Sequence, residues 1–368
     1  MSYQILVLAL VSIVAVVGVI QLRTEKSDGD ISGLIIKSGI ALIVSGIPSI
    51  AELIISLVAG LFSVTLPETK NPELLIKVGV FLLILGVITK IIGTKLKEKI
   101  YVLNMLGSSQ KEISDEKTRQ DLKIADYKLK EQILDVMPVF DKGLNMDARA
   151  NEYIVKQIEK DSVKFAVKAK EKGGCFTGMA PIPYMIYAGT FLGDANVNRY
   201  FEFNGNAGER YYELKAKQGI FEKKWQELDV NIPPCPNSAS EIVLAVSITS
   251  KIIDIQLEQF SGLPVVKIEL PEAKDNIIQT KEQLIEYRSV IFEFLDKTIK
   301  ELSPNIKKVH LVAAIPGCMA LEIGKMIGLR ENRMMEVVAY HYIGNNPIRY
   351  PFGIYVSGKC KGQFVKAD

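Results

Sequence analysis

Apolar residues run almost unbroken through the first quarter of the chain and become periodic only after it. Residues 5–22 carry no charge, and at about 1.5 Å per residue they reach about 27 Å as a helix, enough for one membrane span. A second apolar run, 38–66, is interrupted by Pro48 and carries one acid, Glu52. The stretch before Pro48 falls short of the roughly 20 residues a crossing needs, so a single long helix, kinked or tilted, is predicted there. A third run, 74–92, carries Lys90 near its end and is followed by Lys95, Lys97 and Lys99. Three spans within residues 1–94 result. The start, MSYQ, lacks the basic residues of a signal peptide, and the apolar core that follows is too long for one.

Residues 95–150 are rich in charge and carry only a thin apolar stripe of Ile113, Leu122, Ile124 and Leu129. They predict a helical connector, either a solvated stalk or a helix that passes a signal to the membrane. From residue 151 the period changes. An amphipathic helix over 151–171 precedes the apolar run CFTGMA, a Pro-broken turn, MIYAGTFLG and the aromatic run RYFEF. The order then recurs: strand EIVLAVSI, a helix from about residue 252, strand PVVKIEL, a helix over 276–302, strand KVHLVAAI and a Pro-led helix. Strands alternating with helices predict parallel sheets flanked by helices, an α/β body joined to an α-helical transmembrane region.

That body repeats itself. Pro181, Gly189 and Gly193 recur 135 positions later as Pro316, Gly324 and Gly328. At an offset of 139, Gly205, Asn206, Arg210 and Tyr211 recur as Gly344, Asn345, Arg349 and Tyr350. Two similar Rossmann-like halves follow, about 151–230 and 240–368. In such sheets ligands sit beyond the carboxyl ends of the strands, where helix amino termini point free N–H groups at anions. A cleft shared by two halves offers two anion sites and suits a ligand with two or more phosphates.

Charge and composition sharpen this picture. The length of 368 residues suits two or three domains. Only six basic and six acidic residues fall within 1–94. With the amino terminus outside, the inner side collects Arg23, Lys26, Lys37 and the lysines after 90, leaving Lys70 and Lys77 outside, so the body is expected in the cytoplasm. Cys175, Cys235, Cys318 and Cys360 form no CxxC and no metal-ligand spacing, which fits a reducing compartment and no zinc. A net charge of +3 leaves no basic stripe for a DNA or RNA polymer. No cofactor motif is present.

Three strand ends are candidate ligand walls. Ser247, Thr249 and Ser250 place three hydroxyls where a strand gives way to a helix; each either caps that helix or donates to a phosphate. Pro316, Gly317, Cys318 and Met319 follow KVHLVAAI, where Gly317 serves either a tight turn or a close approach to a ligand. Pro181, Pro183 and Tyr184 are their counterparts, with Tyr184 either stacking on a base or packing in the core. Arg210 and Arg349 suit phosphates or an ion pair within each half. His310 reads as a satisfied core residue, and His341, between Tyr340 and Tyr342, faces either way. In the membrane, Glu52 lines a pore, sits protonated in a helix contact, or satisfies a backbone group freed near Pro48. The absence of GxxxxGK[ST], HExxH and GxSxG, with two histidines in all, favours a sensor over an enzyme.

The strings FTGMAPIPYMIYAGTFLG, RYFEF, LAVSITSKI, KVHLVAAIPGCMALEIGKMIG and VVAYHYIG resemble SAVED domains, sensor modules of bacterial antiphage systems. The resemblance covers roughly residues 150–360 and rests on loose patterns. It implies two fused CARF-like halves, in keeping with the repeat. With amino-terminal membrane helices, the chain looks like the membrane-spanning SAVED effectors of CBASS, the cyclic-oligonucleotide-based antiphage signalling system. Such a protein is expected to bind a cyclic di- or trinucleotide made by a partner nucleotidyltransferase, to assemble as a homo-oligomer, and to disrupt the bacterial inner membrane and kill the infected cell. The resemblance places ligand contacts at 180–184, 247–250 and 316–319, with aromatic help from Phe201, Phe203, Tyr340 and His341. It transfers no catalytic residue. Two other readings stand beside it: a membrane-bound CARF-like enzyme that cleaves a cyclic oligonucleotide, and a passive anchor that recruits a soluble killer protein.

Overall fold

The computed structural model describes residues 77, 80–88, 99–107, 113, 115–125, 127–136, 146–204, 210–219 and 224–367. Chain contacts divide it into two compact units, Met1–Glu98 and Lys99–Asp368. In the first unit, residues 80–88 are helical. The predicted spans 5–22 and 38–66, with Pro48 and Glu52, lie outside the described residues, as does about half of the third. Among the described residues no helix is long and apolar enough to cross a membrane.

The second unit contains two sheets built to one plan. In the first half, β1 (Lys99–Leu106), α1 (Glu116–Asp121), β2 (Lys128–Asp135), α2 (Ala148–Lys172), β3 (Gly174–Gly178), α3 (Ile182–Gly189), β4 (Val197–Asn204) and β5 (Arg210–Glu213) give a sheet of order β2-β1-β3-β4-β5. After β6 (Asp229–Asn231), the second half runs β7 (Glu241–Ser247), a 3₁₀ helix (Asp254–Phe260), β8 (Val265–Glu269), α4 (Lys281–Glu293), β9 (Lys308–Ala314), α5 (Gly317–Leu329), β10 (Glu336–His341), β11 (Phe352–Tyr355) and β12 (Phe364–Lys366). Helix α4 continues through a π turn at Phe294–Thr298 to Leu302. The second sheet has order β12-β11-β10-β9-β7-β8-β6, and its core β8-β7-β9-β10-β11 matches the first sheet strand for strand. In each half the first four matched strands are parallel and the fifth turns back antiparallel.

This corrects the predicted helical connector over 95–150 and the start of the first half at 151. The segment supplies β1 and β2, and the first half begins at Lys99. The reason is the edge position of β2. Its sequence KLKEQILD reads as a charged helix, but the charges blunt an exposed sheet edge. Ile113, Leu122 and Ile124 are buried against Ile100, Val102, Cys175 and Phe201 on one sheet face rather than forming a helix stripe.

The other boundaries follow local chemistry. Asp147 caps α2, its carboxylate accepting from the Ala150 N–H at 2.7 Å, and Gly173 ends the helix at a φ of 75°. Ile154, Ile158, Phe165 and Ala169, at helical spacing, bury its inner face. Strands β3, β7, β9 and β10 are nearly continuous apolar runs because helices or loops cover both their faces. Helices α3 and α5 cross at the repeated glycines. A Cβ on Gly324 would clash with the Ile186 carbonyl oxygen and lie 2.9 Å from the Gly189 Cα, and a Cβ on Gly189 would meet the Leu321 carbonyl oxygen. Each helix also reaches the other half's sheet, α3 contacting β10 and β11, and α5 contacting β3 and β4.

Because backbone rather than a side-chain tip stands in the way, Gly324→Ala is expected to destabilise the fold by about 3 kcal/mol. Thermal unfolding of the full chain in detergent, followed by circular dichroism, checks this; an unchanged midpoint would show that the crossing tolerates a methyl group.

Candidate functional site

The strand order puts a topological switch point in each half: between β1 and β3 in the first sheet, between β7 and β9 in the second. The two are not equally open. In the first half, a Cβ on Gly107, just after β1, would lie 2.6 Å from both Ala180 Cα and Pro181 Cδ, so the two rim segments are packed against each other. In the second half the backbone ties the strands together below the rim: the Ile248 and Thr249 N–H groups both donate to the Ala314 carbonyl at 2.9 Å, and the Lys274 N–H donates to the Ile248 carbonyl at 3.2 Å.

Of the three hydroxyls at that rim, Ser247 is buried and caps the turn that follows, its Oγ accepting from the Ile252 N–H at 3.1 Å. Thr249 is half-buried and Ser250 exposed. Opposite them, β10 ends at His341 and the loop after it carries Tyr342 and Arg349. Tyr342 is exposed; its hydroxyl accepts from the Gln256 amide at 3.0 Å and its ring lies 5.5 Å from that of Tyr350. Gln259 clamps the same loop, donating to the Tyr350 carbonyl and accepting from its N–H, both at 2.9 Å. Arg349 is half-buried, and among the described residues no hydrogen bond or ion pair reaches its guanidinium. The structural ion pair open for Arg349 therefore has no partner there. Arg210 lies in β5 opposite Asn204, and its side chain lies outside the described residues.

The helix starts differ from expectation. Glu202, on β4, points its carboxylate at the start of α5, where the Cys318 N–H donates to it at 2.7 Å. The anion position of α5 is thus occupied by the protein's own acid. Burial drives the Glu202 carboxyl up to about 7, although donors from Cys318 and Gly317 oppose the shift. At the equivalent start of α3, Pro183 replaces Cys318 and has no N–H to offer. The residue at the place of Glu202 in the second half is His341, which burial pushes down to about 4 and whose ring lies 5.1 Å from Phe352. Neither helix start presents the free N–H cluster that the repeat suggested.

Several other candidates are buried in the core or packed against it. Tyr184 is fully buried, and its hydroxyl donates to Asn151 Oδ1 at 3.2 Å on α2. Pro181 and Pro183 are buried beside it. Phe201 is buried under Arg199, and Phe203 packs edge-on against Tyr211 at 5.2 Å. Gly317, Cys318 and Met319 are buried behind half-buried Pro316, and a Cβ on Gly317 would meet the Gly178 carbonyl at 2.7 Å. Tyr340 is buried, with its hydroxyl 2.9 Å from His310 Nδ1; the other ring nitrogen of His310 lies 2.7 Å from Glu241, so His310 is a satisfied core residue. The accessible members of the second rim are Thr249, Ser250, Pro316, His341 and Arg349, to which the structure adds Lys274 and Tyr342. Glu202 went unread because an acid between Phe201 and Phe203 looks like the polar side of a strand.

Residues 156–356 match the family described as the SMODS-associated and fused to various effectors sensor domain, SAVED. Among solved structures, the Acinetobacter baumannii Cap4 SAVED/CARF-domain containing receptor with the cyclic trinucleotide 2'3'3'-cAAA is 14% identical, with a TM-score of 0.41, 86% of this chain covered and 65% of that one. The same receptor with 3'3'3'-cAAA is 16% identical at a TM-score of 0.40, again over 86% and 65%. The Moraxella osloensis Cap4 receptor is 13% identical at 0.40, over 84% and 64%. The chain thus spans about 65% of the length of these receptors. No curated protein matches it.

Glu202 gives the site a pH signature. A carboxyl raised to about 7 in the fold, against 4.5 ordinarily, binds protons more tightly folded than unfolded, so its contribution is fully present below pH 4.5 and lost as pH rises through 7. Glu202→Gln keeps an acceptor for the Cys318 N–H and removes the titration. The variant's stability is expected to overtake that of the native chain between pH 5 and 8, by up to about 3 kcal/mol at roughly 1.4 kcal/mol per pH unit. Unfolding curves that stay parallel across this range would rule it out.

Proposed function

Because the chain belongs to the SAVED family of sensor domains, we propose that it is a CBASS antiphage effector that binds a cyclic oligonucleotide at the carboxyl rim of its second sheet. The observation that carries the reading is the rim itself: after β10, half-buried Arg349 has no partner among the described residues, and exposed Lys274, Ser250 and Tyr342 lie at the carboxyl ends of the same sheet. A guanidinium held without a carboxylate is ready for a phosphate, and an exposed tyrosine fixed by Gln256 offers a face for a base. Base-stacking and backbone contact suit a cyclic di- or trinucleotide made by a partner nucleotidyltransferase better than a long polymer.

The family joins such sensors to various effectors, and here residues 1–94 occupy the effector position. In this reading they form three spans in the bacterial inner membrane with the sensor in the cytoplasm. Ligand binding drives homo-oligomerisation, and the assembled spans breach the membrane and end the infected cell. Binding without cleavage is favoured because Ser247 is committed to its cap and half-buried His341 is pushed down to about 4, leaving a weak set for in-line attack.

Full-length protein in detergent is expected to bind one of a panel of cyclic di- and trinucleotides and to return it intact, and Arg349→Gln is expected to weaken binding roughly ten- to a hundredfold. Calorimetry decides this; tight binding to none of the panel, or equal affinity in the variant, would remove the rim assignment.

In liposomes, the native chain and ligand are expected to release an entrapped dye, and Glu52→Ala to reduce that release if the acid lines the path. Release unchanged in the inserted variant dismisses the pore role of Glu52. No release by the native chain with bound ligand leaves the passive-anchor reading in its place.

A further inference from the structure

Away from both rims, a cavity of about 400 Å³ opens between α2 and the amino-terminal part of β1 and β2. That size falls within the roughly 300–1,000 Å³ of small-ligand pockets. The strand register sorts its lining. Tyr101 pairs with Lys130 and Leu103 with Gln132, and Leu103 packs with Phe165 of α2, so Tyr101, Lys130 and Gln132 share the α2 side of the sheet. Leu129 and Glu131 lie on the opposite face, where the Glu131 carboxylate accepts from the buried Asn104 amide at 2.7 Å. Helix α2 contributes Lys164, Lys168 and the floor residue Phe165.

Three lysines therefore line one cavity, and among the described residues its one lining acid, Glu131, sits on the opposite face of β2. Lys168 lies 5.8 Å over the Tyr101 ring, and among the described residues none of Lys130, Lys164 and Lys168 has a carboxylate partner. Elsewhere α2 pairs Lys156 with Glu152 at 2.6 Å and Lys170 with Asp194 at 2.7 Å. Lys164 and Lys168, four apart, instead repel each other, and Lys164 lies two turns before the helix end, beyond the reach of the helix dipole. Repulsion within a concave site is relieved when an anion enters.

We propose that this cavity binds a phosphate-bearing anion, and that its source is the headgroup of an anionic phospholipid. Val163 and Val167, 46% and 61% exposed, stand beside Lys164 and Lys168 on the same helix and give the site an apolar flank that a soluble phosphate would not use. Tyr101 follows the end of the third predicted span by nine residues, with Lys95, Lys97 and Lys99 between them. The choice of a lipid rests on the membrane reading above; the anion site does not.

The test uses full-length protein in neutral detergent and native mass spectrometry with short-chain phosphatidylglycerol, short-chain phosphatidylcholine and pyrophosphate as probes. Retention of phosphatidylglycerol over phosphatidylcholine is expected, displaced by pyrophosphate and reduced roughly a hundredfold in the combined variant Lys130→Gln, Lys164→Gln, Lys168→Gln. Retention of pyrophosphate alone, lost in the variant, supports the anion site and overturns the lipid source. Equal retention of every probe by native chain and variant overturns the proposal. Circular dichroism verifies that the variant is folded, and its unchanged affinity for a rim-bound cyclic nucleotide would separate this site from the rim.

Discussion

The sensor unit depends on one close contact, the crossing of α3 and α5 at Gly189 and Gly324, where two backbones touch with no side chain between them. That contact lets each helix pack on its own sheet and the other half's at once. A buried network reinforces it. Glu322 on α5 accepts from Tyr200 of β4 at 2.5 Å and from Arg288 of α4 at 2.6 Å, with Lys325 at 3.1 Å. Burial alone would raise the Glu322 carboxyl, but Lys325, Tyr200 and Arg288 outweigh it and hold it below the ordinary range. The halves are therefore joined by an ionised group as well as by shape.

The duplication did not produce two equal sites. The same fold element meets different residues in each half: Cys318 offers an N–H where Pro183 cannot, and Glu202 stands where the second half has His341. The first rim is closed by Gly107 against Ala180 and Pro181, and the start of α5 is filled from inside by Glu202. What remains accessible is one rim.

Much of this organisation is readable in the chain order. Long unbroken apolar runs mark β3, β7, β9 and β10, because strands covered on both faces need no polar side. The recurring Pro and Gly positions disclose the two halves, because a strand-to-helix turn and a backbone crossing leave few residue choices. The SAVED character followed from those same segments. The edge strand β2 was not readable as a strand, since an edge wants charge and charge at that spacing also suits a helix.

The sequence by itself determined the alternation of strand and helix, the repeat and the list of rim segments, since these follow from periodicity and turn chemistry, which are local. Only the tertiary structure decided which rim residues stay accessible. Tyr184, Cys318 and Tyr340 have the right types at the right strand ends, yet their burial depends on segments distant in the chain, and no spacing along it encodes that. The pairing of Glu202 with α5, 116 positions away, and the absence of a partner for Arg349 among the described residues were settled in the same way.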